Sequence, residues 1–139
     1  MLVLDANILI RAVLGNRVRS LLAKYGSTVE FFAPDTAFQE ARKHIPAILK
    51  KRNIEPSEGL AVLDSLSTIV QLIELETYAA FEQTARDRLR GRDEDDWPIL
   101  AAALALGCPI WTEDSDFFGA GVATWTSDRV ELFLQAATL

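Results

Sequence analysis

The run Trp97–Leu106, WPILAAALAL, carries no charged side chain. Asp96 and Gly107 bound it as the start and stop of a helix, and Pro98 falls in the first turn, where proline's missing amide proton costs nothing. The run is far shorter than the ~20 apolar residues that cross a bilayer. A helix that is apolar all round must therefore be buried on most of its faces inside a folded domain.

The rest of the chain supplies the elements around it. Residues 1–4 form a short apolar run ending at Asp5, as a buried strand would, and Ile8, Leu9, Ala12 and Val13 then recur at helical spacing. Val18, Leu21 and Leu22 continue a helical pattern to Gly26, and residues 29–33 make a second strand closed by Pro34. Asp35 or Thr36 can cap the helix that follows. That helix is expected to kink or break at Pro46, with a second helix running on to Asn53. Pro56 opens another amphipathic segment, residues 69–75 read as strand, and 77–90 read as one helix. After the apolar helix come a strand at 109–112, a turn-rich loop, a last strand at 122–125 and a closing helix at 127–137. Alternation of this kind predicts an α/β fold, a three-layer α/β/α sandwich with a central, mainly parallel sheet, in one domain over 1–139.

Composition narrows the chemistry. With 139 residues, half of them hydrophobic, the chain can bury one sizeable core. It has no stretch resembling a membrane span or signal peptide, and a cytoplasmic protein is expected. One cysteine, Cys108, and one histidine, His44, cannot make a Cys/His zinc site, so any bound metal must be held by oxygen. Cys108 reads as core and His44 as a surface or helix-end residue. The net charge of −6 is unevenly spread: residues 1–70 carry nine Lys/Arg against seven Asp/Glu, and residues 71–139 carry five against thirteen.

In parallel sheets ligands bind at the carboxyl ends of strands, and here those ends are acidic. Asp5 follows the first strand, and Asp114 and Asp116 follow the strand at 109–112. Glu40 lies in the helix after the second strand, and Asp96 begins the apolar helix. Each has an ordinary alternative. Asp5 can cap a helix, Glu40 can be a solvated helix charge, and Asp114 and Asp116 can be turn formers. Among Asp93 to Asp96, the helix dipole rewards acids by roughly 0.3 to 1 kcal/mol each, so most of that run needs no catalytic explanation. The combination is what matters. Carboxylates converging from four segments repel one another unless a cation sits among them, and Mg²⁺ or Mn²⁺ takes such oxygen ligands while leaving positions for phosphate oxygens. A phosphotransferase using Asp5 as nucleophile fits poorly, because position 7 is Asn.

These residues resemble the PIN domain, the nuclease family that includes VapC-type toxins. Val3-Leu4-Asp5-Ala6-Asn7-Ile8-Leu9 is similar to that family's first motif, and Phe38-Gln39-Glu40 to its second acidic position. Asp95-Asp96-Trp97-Pro98-Ile99-Leu100-Ala101-Ala102-Ala103 resembles the third, an Asp before an alanine-rich helix, and Trp111-Thr112-Glu113-Asp114-Ser115-Asp116-Phe117 resembles the last. The chain departs from the pattern in offering Asp93, Asp95 and Asp96 at the third position, and both Asp114 and Asp116 at the fourth.

The resemblance implies an endoribonuclease using Mg²⁺ or Mn²⁺. Its catalytic acids would be Asp5, Glu40, Asp96, Asp114 and Asp116. Asp5, Glu40 and Asp96 would hold the main ion, with Asp114 or Asp116, here Asp116 by preference, completing the set. Asn7 and Thr112 would orient these ligands by hydrogen bonding. RNA would meet Arg42, Lys43, Lys50, Lys51 and Arg52 on one helical stretch, and Arg86, Arg88, Arg90 and Arg92 before the acid run, unless these are solvated helix faces. A small antitoxin protein as partner and a homodimer also follow from the resemblance. The alternatives are a non-catalytic PIN-fold protein that only binds a partner, and a PIN nuclease of RNA processing with no antitoxin.

Overall fold

In the computed structural model, which describes residues 1–138, the amino-terminal apolar run is the centre of the sheet. Strand β1 (Leu2–Leu4) is fully buried and pairs in parallel with β2 (Phe31–Pro34) on one side. Beyond β2 lies β3 (Val70–Ile73), also parallel. On the other side of β1 come β4 (Ile110–Trp111) and then β5 (Thr124–Trp125). The order is β3-β2-β1-β4-β5 and every pairing is parallel, so the sheet expected to be mainly parallel is wholly so.

Parallel neighbours need crossovers, and their right-handedness decides which face each helix covers. Helices α1 (Ala6–Leu14) and α2 (Arg17–Tyr25) link β1 to β2, and α3 (Asp35–Lys51) and α4 (Pro56–Leu66) link β2 to β3. Both crossings step the same way along the sheet, and α1 packs on α2, α3 and α4. The return from β3 to β4 steps the other way. It contains α5 (Leu75–Tyr78), α6 (Glu82–Arg88) and the apolar helix α7 (Trp97–Leu106). Helix α7 lies with β1 and β2 beneath it and α5 and α6 above it, so Pro98 to Ala103 are buried, while Leu104, Ala105 and Leu106 are partly buried. The last helix, α8 (Val130–Ala137), joins the first layer through Glu131, which accepts hydrogen bonds from Tyr25 and Lys24 of α2. The result is a three-layer α/β/α sandwich. None of the described helices is long and apolar enough to cross a membrane.

Three sequence expectations need correction. Helix α3 runs through Pro46 without a break. The proline cannot donate to the carbonyl of Arg42, an exposed residue, and buried Ile45 and Leu49 hold the helix in place on either side of it. The single helix expected at 77–90 is two, α5 and α6, joined by a 3-10 turn at Ala79–Phe81. No proline or glycine announces that tightening. It comes with Tyr78, which is buried against Trp97 and donates its hydroxyl proton to Asp35 at the start of α3. The closing helix begins at Val130, not 127, after a turn over 127–129 in which the Arg129 and Val130 amides donate to the Thr126 carbonyl.

Helix α7 stops at Gly107, whose φ of 65° is a left-handed cap that favours glycine, and its amide bonds back to Ala103. Trp111 on β4 is fully buried beside Phe31, and its indole N–H donates to Ser127 Oγ at 3.1 Å. Trp111→Ala should lower the free energy of unfolding by about 3 to 5 kcal/mol, the usual cost of emptying a large core site. Urea unfolding checks this, and a loss below about 1 kcal/mol would contradict the packing described.

Candidate metal centre

Strand order reverses between β1 and β4: β1 leads to a strand on its left, and β4 lies on its right. Crevices in parallel sheets open at such a point, beyond the carboxyl ends of the strands. Asp5 and Thr112 are the residues that leave β1 and β4 there. Asp5 is only 7 % exposed. It caps α1, its Oδ1 accepting from the Ala6 amide at 2.6 Å. Its Oδ2 accepts from Thr112 Oγ1 at 2.7 Å and from Asn7 Nδ2 at 3.1 Å. The capping and site readings of Asp5 are therefore compatible, because a carboxylate has about four acceptor directions and these bonds take three.

The two hydrogen-bonding residues carry the pattern onward. Thr112 Oγ1 accepts from the Asp114 amide at 2.9 Å, and Asn7 Oδ1 accepts from the Glu113 amide at 3.4 Å. Asp114 Oδ1 caps a 3-10 turn at Ser115–Phe117 by accepting from the Asp116 amide at 2.9 Å. Across the crevice, a 3-10 turn at Glu94–Asp96 leads into α7. Asp93 caps that turn, accepting from the Asp95 amide at 3.1 Å, and Asp95 is exposed. Asp96 occupies the cap position of α7 yet its side chain accepts no capping bond. Its carboxylate is left free for the crevice.

Carboxylate oxygens of Asp96, Asp114 and Asp116 all lie within 4.8 Å of one another. Both members of the pair that the sequence could not rank thus belong to the cluster. Asp5 and Glu40 are outside this group of three, but their charges reach it. Burial, followed by the charges of Asp5, Asp93, Asp114 and Glu40, pushes the Asp96 carboxyl up to about 7. Burial also pushes Asp5 up to about 6, against the Thr112 and Ala6 hydrogen bonds, with Asp114 and Glu40 adding to the rise. Glu40 is half exposed on α3 and lies 3.9 Å from His44, one turn on. His44 is exposed in the middle of α3, a surface position as its sequence surroundings suggest. Among the described residues, Asp5, Asp96, Asp114 and Asp116 have no lysine, arginine or histidine within ion-pair distance.

The donor set fits a hard divalent cation. It offers oxygen alone, in carboxylates close enough to share one ion, while Cys108 is buried at the opposite end of β4. Mg²⁺ or Mn²⁺ matches such ligands.

The PIN domain family model matches residues 3–135. This chain belongs to the PIN domain family. PIN domains are in general nucleases, and typically use divalent metals. The fold is also that of solved structures. VapBC2 from Rickettsia felis, bound to a DNA fragment from its promoter, superposes with a TM-score of 0.69 at 13 % identity, covering 90 % of this chain and 97 % of that one. FitAcB from Neisseria gonorrhoeae gives 0.66 at 21 % identity, covering 91 % and 98 %. VapBC-1 from nontypeable Haemophilus influenzae gives 0.60 at 18 %, covering 92 % and 98 %. No curated protein sequence matches the chain.

Several basic residues of this PIN domain have partners inside it. Arg92 donates to the backbone carbonyls of Asp116 and Phe118, and Arg88 to that of Ala120 at 3.2 Å, so both hold down the loop that carries Asp114 and Asp116. Arg42 pairs with Asp64, Arg86 with Glu82 and Arg90 with Asp87. Lys43 is exposed in the middle of α3, and Lys50, Lys51 and Arg52 are exposed at its end. Trp97 is half-buried between Tyr78 and the Arg86 guanidinium, and Trp111 is core. The loop-clamping role of Arg88 and Arg92 joins segments some two dozen residues or more apart, and no local sequence signal marks it.

The raised acids set a pH dependence. Asp5 and Asp96 hold protons more tightly when folded than unfolded, so unfolding releases protons between about pH 4 and the folded values near 6 and 7. Without metal, stability should be greatest below that window and fall as pH rises through it; ionising buried Asp5 costs on the order of 3 kcal/mol. Melting in EDTA should therefore occur at lower temperature at pH 8 than at pH 5. Asp96→Asn, which removes a charge but no hydrogen bond, should raise the pH 8 value and flatten the dependence. An unchanged profile would show that the cluster is not strained by its charge.

Proposed function

We propose that this PIN domain is a metal-dependent endoribonuclease that hydrolyses RNA phosphodiester bonds, and that it is the toxin of a type II toxin–antitoxin pair. The observation behind the catalytic reading is the convergence of Asp96, Asp114 and Asp116 within 4.8 Å, beside buried Asp5, with none of these carboxylates in an ion pair among the described residues. Asp96, Asp114 and Asp116 would hold Mg²⁺ or Mn²⁺, with Asp5 and Glu40 adding negative charge beside it. When bound, the ion supplies Lewis-acid polarisation of the phosphate and a lowered pKa for water at neutral pH.

The protein's own part is positioning. Asn7 and Thr112 fix Asp5 through its Oδ2, and Thr112 fixes the start of the Asp114 loop through the Asp114 amide. Arg92 and Arg88 keep that loop against the acid-rich turn before α7. A protein that only bound a partner would have no use for carboxylates held together at this electrostatic cost. The toxin role rests on likeness to the VapBC and FitAB assemblies, of which the R. felis VapBC2 and a FitAB structure are bound to DNA. A small DNA-binding antitoxin is the partner this implies. A homodimer is the assembly we favour, and Leu72 and Leu75, about half exposed at the β3 edge, are apolar surface suited to a second copy.

Purified protein should cleave RNA with Mn²⁺ or Mg²⁺ and stop in EDTA. Asp5→Asn and Asp96→Asn should each lower kcat/KM by about a hundredfold or more, as loss of several kcal/mol of charge stabilisation requires, with the circular dichroism spectrum unchanged. Cleavage that survives EDTA, or full activity in the Asp96→Asn protein, would sink the nuclease reading. The toxin reading predicts growth arrest on induction that Asp96→Asn relieves. Normal growth on induction of an active nuclease would favour a role in RNA processing.

A further inference from the structure

Beyond Ser127, three arginines from separate segments meet at one hollow. A cavity of about 310 Å³ is lined by Arg11, Leu14, Asn16, Arg17, Arg52 and Ser127, among others. Arg11 is in the last turn of α1, Arg17 opens α2, and Arg52 ends α3. Arg17 donates from Nε and Nη2 to the Ser127 carbonyl at 3.3 and 3.2 Å. Among the described residues, the Arg11 and Arg52 side chains have no hydrogen-bond or ion-pair partner, in contrast to those of Arg42, Arg86 and Arg90, each paired with an acid. Glu131, the acid whose charge Arg17 feels, is already taken by Tyr25 and Lys24.

Helix dipoles account for part of this and leave the rest. A cation at a helix carboxyl end is favourable, which suits Arg11 and Arg52 individually. Arg17 stands at a helix start, where the same dipole opposes it. Three guanidiniums around a hollow whose wall holds no carboxylate, in a chain of net charge −6, create a local positive field that an oxyanion would relieve. The planar guanidinium fork matches phosphate oxygens in particular.

Ser127, in the wall of the hollow, is tied by hydrogen bonds to residues around the acids. The Ser127 amide donates to Glu113 Oε1 at 2.7 Å, the Glu113 amide donates to Asn7 Oδ1, and Asn7 donates to Asp5. Arg11 lies six residues along α1 from its cap Asp5, roughly 9 Å at 1.5 Å per residue.

We propose that Arg11, Arg17 and Arg52 form a phosphate-binding subsite that takes a phosphodiester of the RNA strand cut at the acid cluster. The strand assignment rests on the nuclease reading; the anion site does not. The test uses the full chain and an uncleavable 2′-O-methyl oligoribonucleotide, with Arg11→Gln, Arg52→Gln and the double variant. Arg17 is left intact because its bonds to Ser127 support the fold. The plot of log affinity against log salt should lose up to about 0.7 of slope in the double variant, since a single phosphate contact is removed, and affinity at low salt should fall. Unchanged affinity and slope, with the wild-type chain binding RNA, would overturn the proposal. So would a protein partner losing affinity for these variants while RNA does not. If the wild-type chain binds no RNA, titration with inorganic phosphate decides, read from the Nε–H signals of Arg11, Arg17 and Arg52. Shifts at those signals would keep an anion site and overturn its assignment to RNA, and their absence would overturn both.

Discussion

The buried carboxylate of Asp5 is the point at which the sheet, the first helix and the acid-bearing loop are joined. One oxygen caps α1 and the other takes the Thr112 hydroxyl from the end of β4 and the Asn7 amide from the first turn. Thr112 in turn accepts the Asp114 amide, and Asn7 the Glu113 amide. Remove Asp5 and these bonds lose their common acceptor. What holds the fold together locally is thus also what aims the cluster, and burial of the same group raises its pKa. Stability and charge are in conflict at this position.

The conflict is set by topology. Only where strand order reverses do two adjacent strands send their connections to opposite faces, leaving an open crevice at their carboxyl ends. Asp5 and the Asp114–Asp116 loop occupy that crevice from the strand side, and Asp96 enters from the start of α7 in the other layer. Asp96 sits at a cap position without capping, which leaves it facing like charges instead of the helix's own amides. A cation among these groups would relieve that repulsion, and a hard divalent ion is the one their oxygens suit.

Much of this was legible from the chain because its local signals agreed with the final packing. The apolar helix needed burial wherever it went, and its bounds Trp97 and Leu106 came out as read. Strand positions were recognisable within a few residues, since short buried strands show as short apolar runs. Pro46 does not break the helix because burial of Ile45 and Leu49 on either side holds α3 together, and burial is a tertiary property. The split between α5 and α6 was invisible for the same kind of reason: Tyr78 answers to Asp35 and Trp97, not to its sequence neighbours. Among the basic residues, Arg88 and Arg92 looked like part of a surface patch, whereas they fasten a loop far along the chain.

By itself, then, the sequence determined the element types, the parallel α/β architecture and the presence of acids at strand and helix ends, because periodicity, caps and apolar runs are local and additive. Which acids stand together was decided by the tertiary structure. Asp114 and Asp116 could not be separated in the chain, and folding places both beside Asp96, while Asp5 remains one step back, holding the frame. Proximity between segments depends on crossover handedness and on the packing of α7 between layers, and neither is written at any single position.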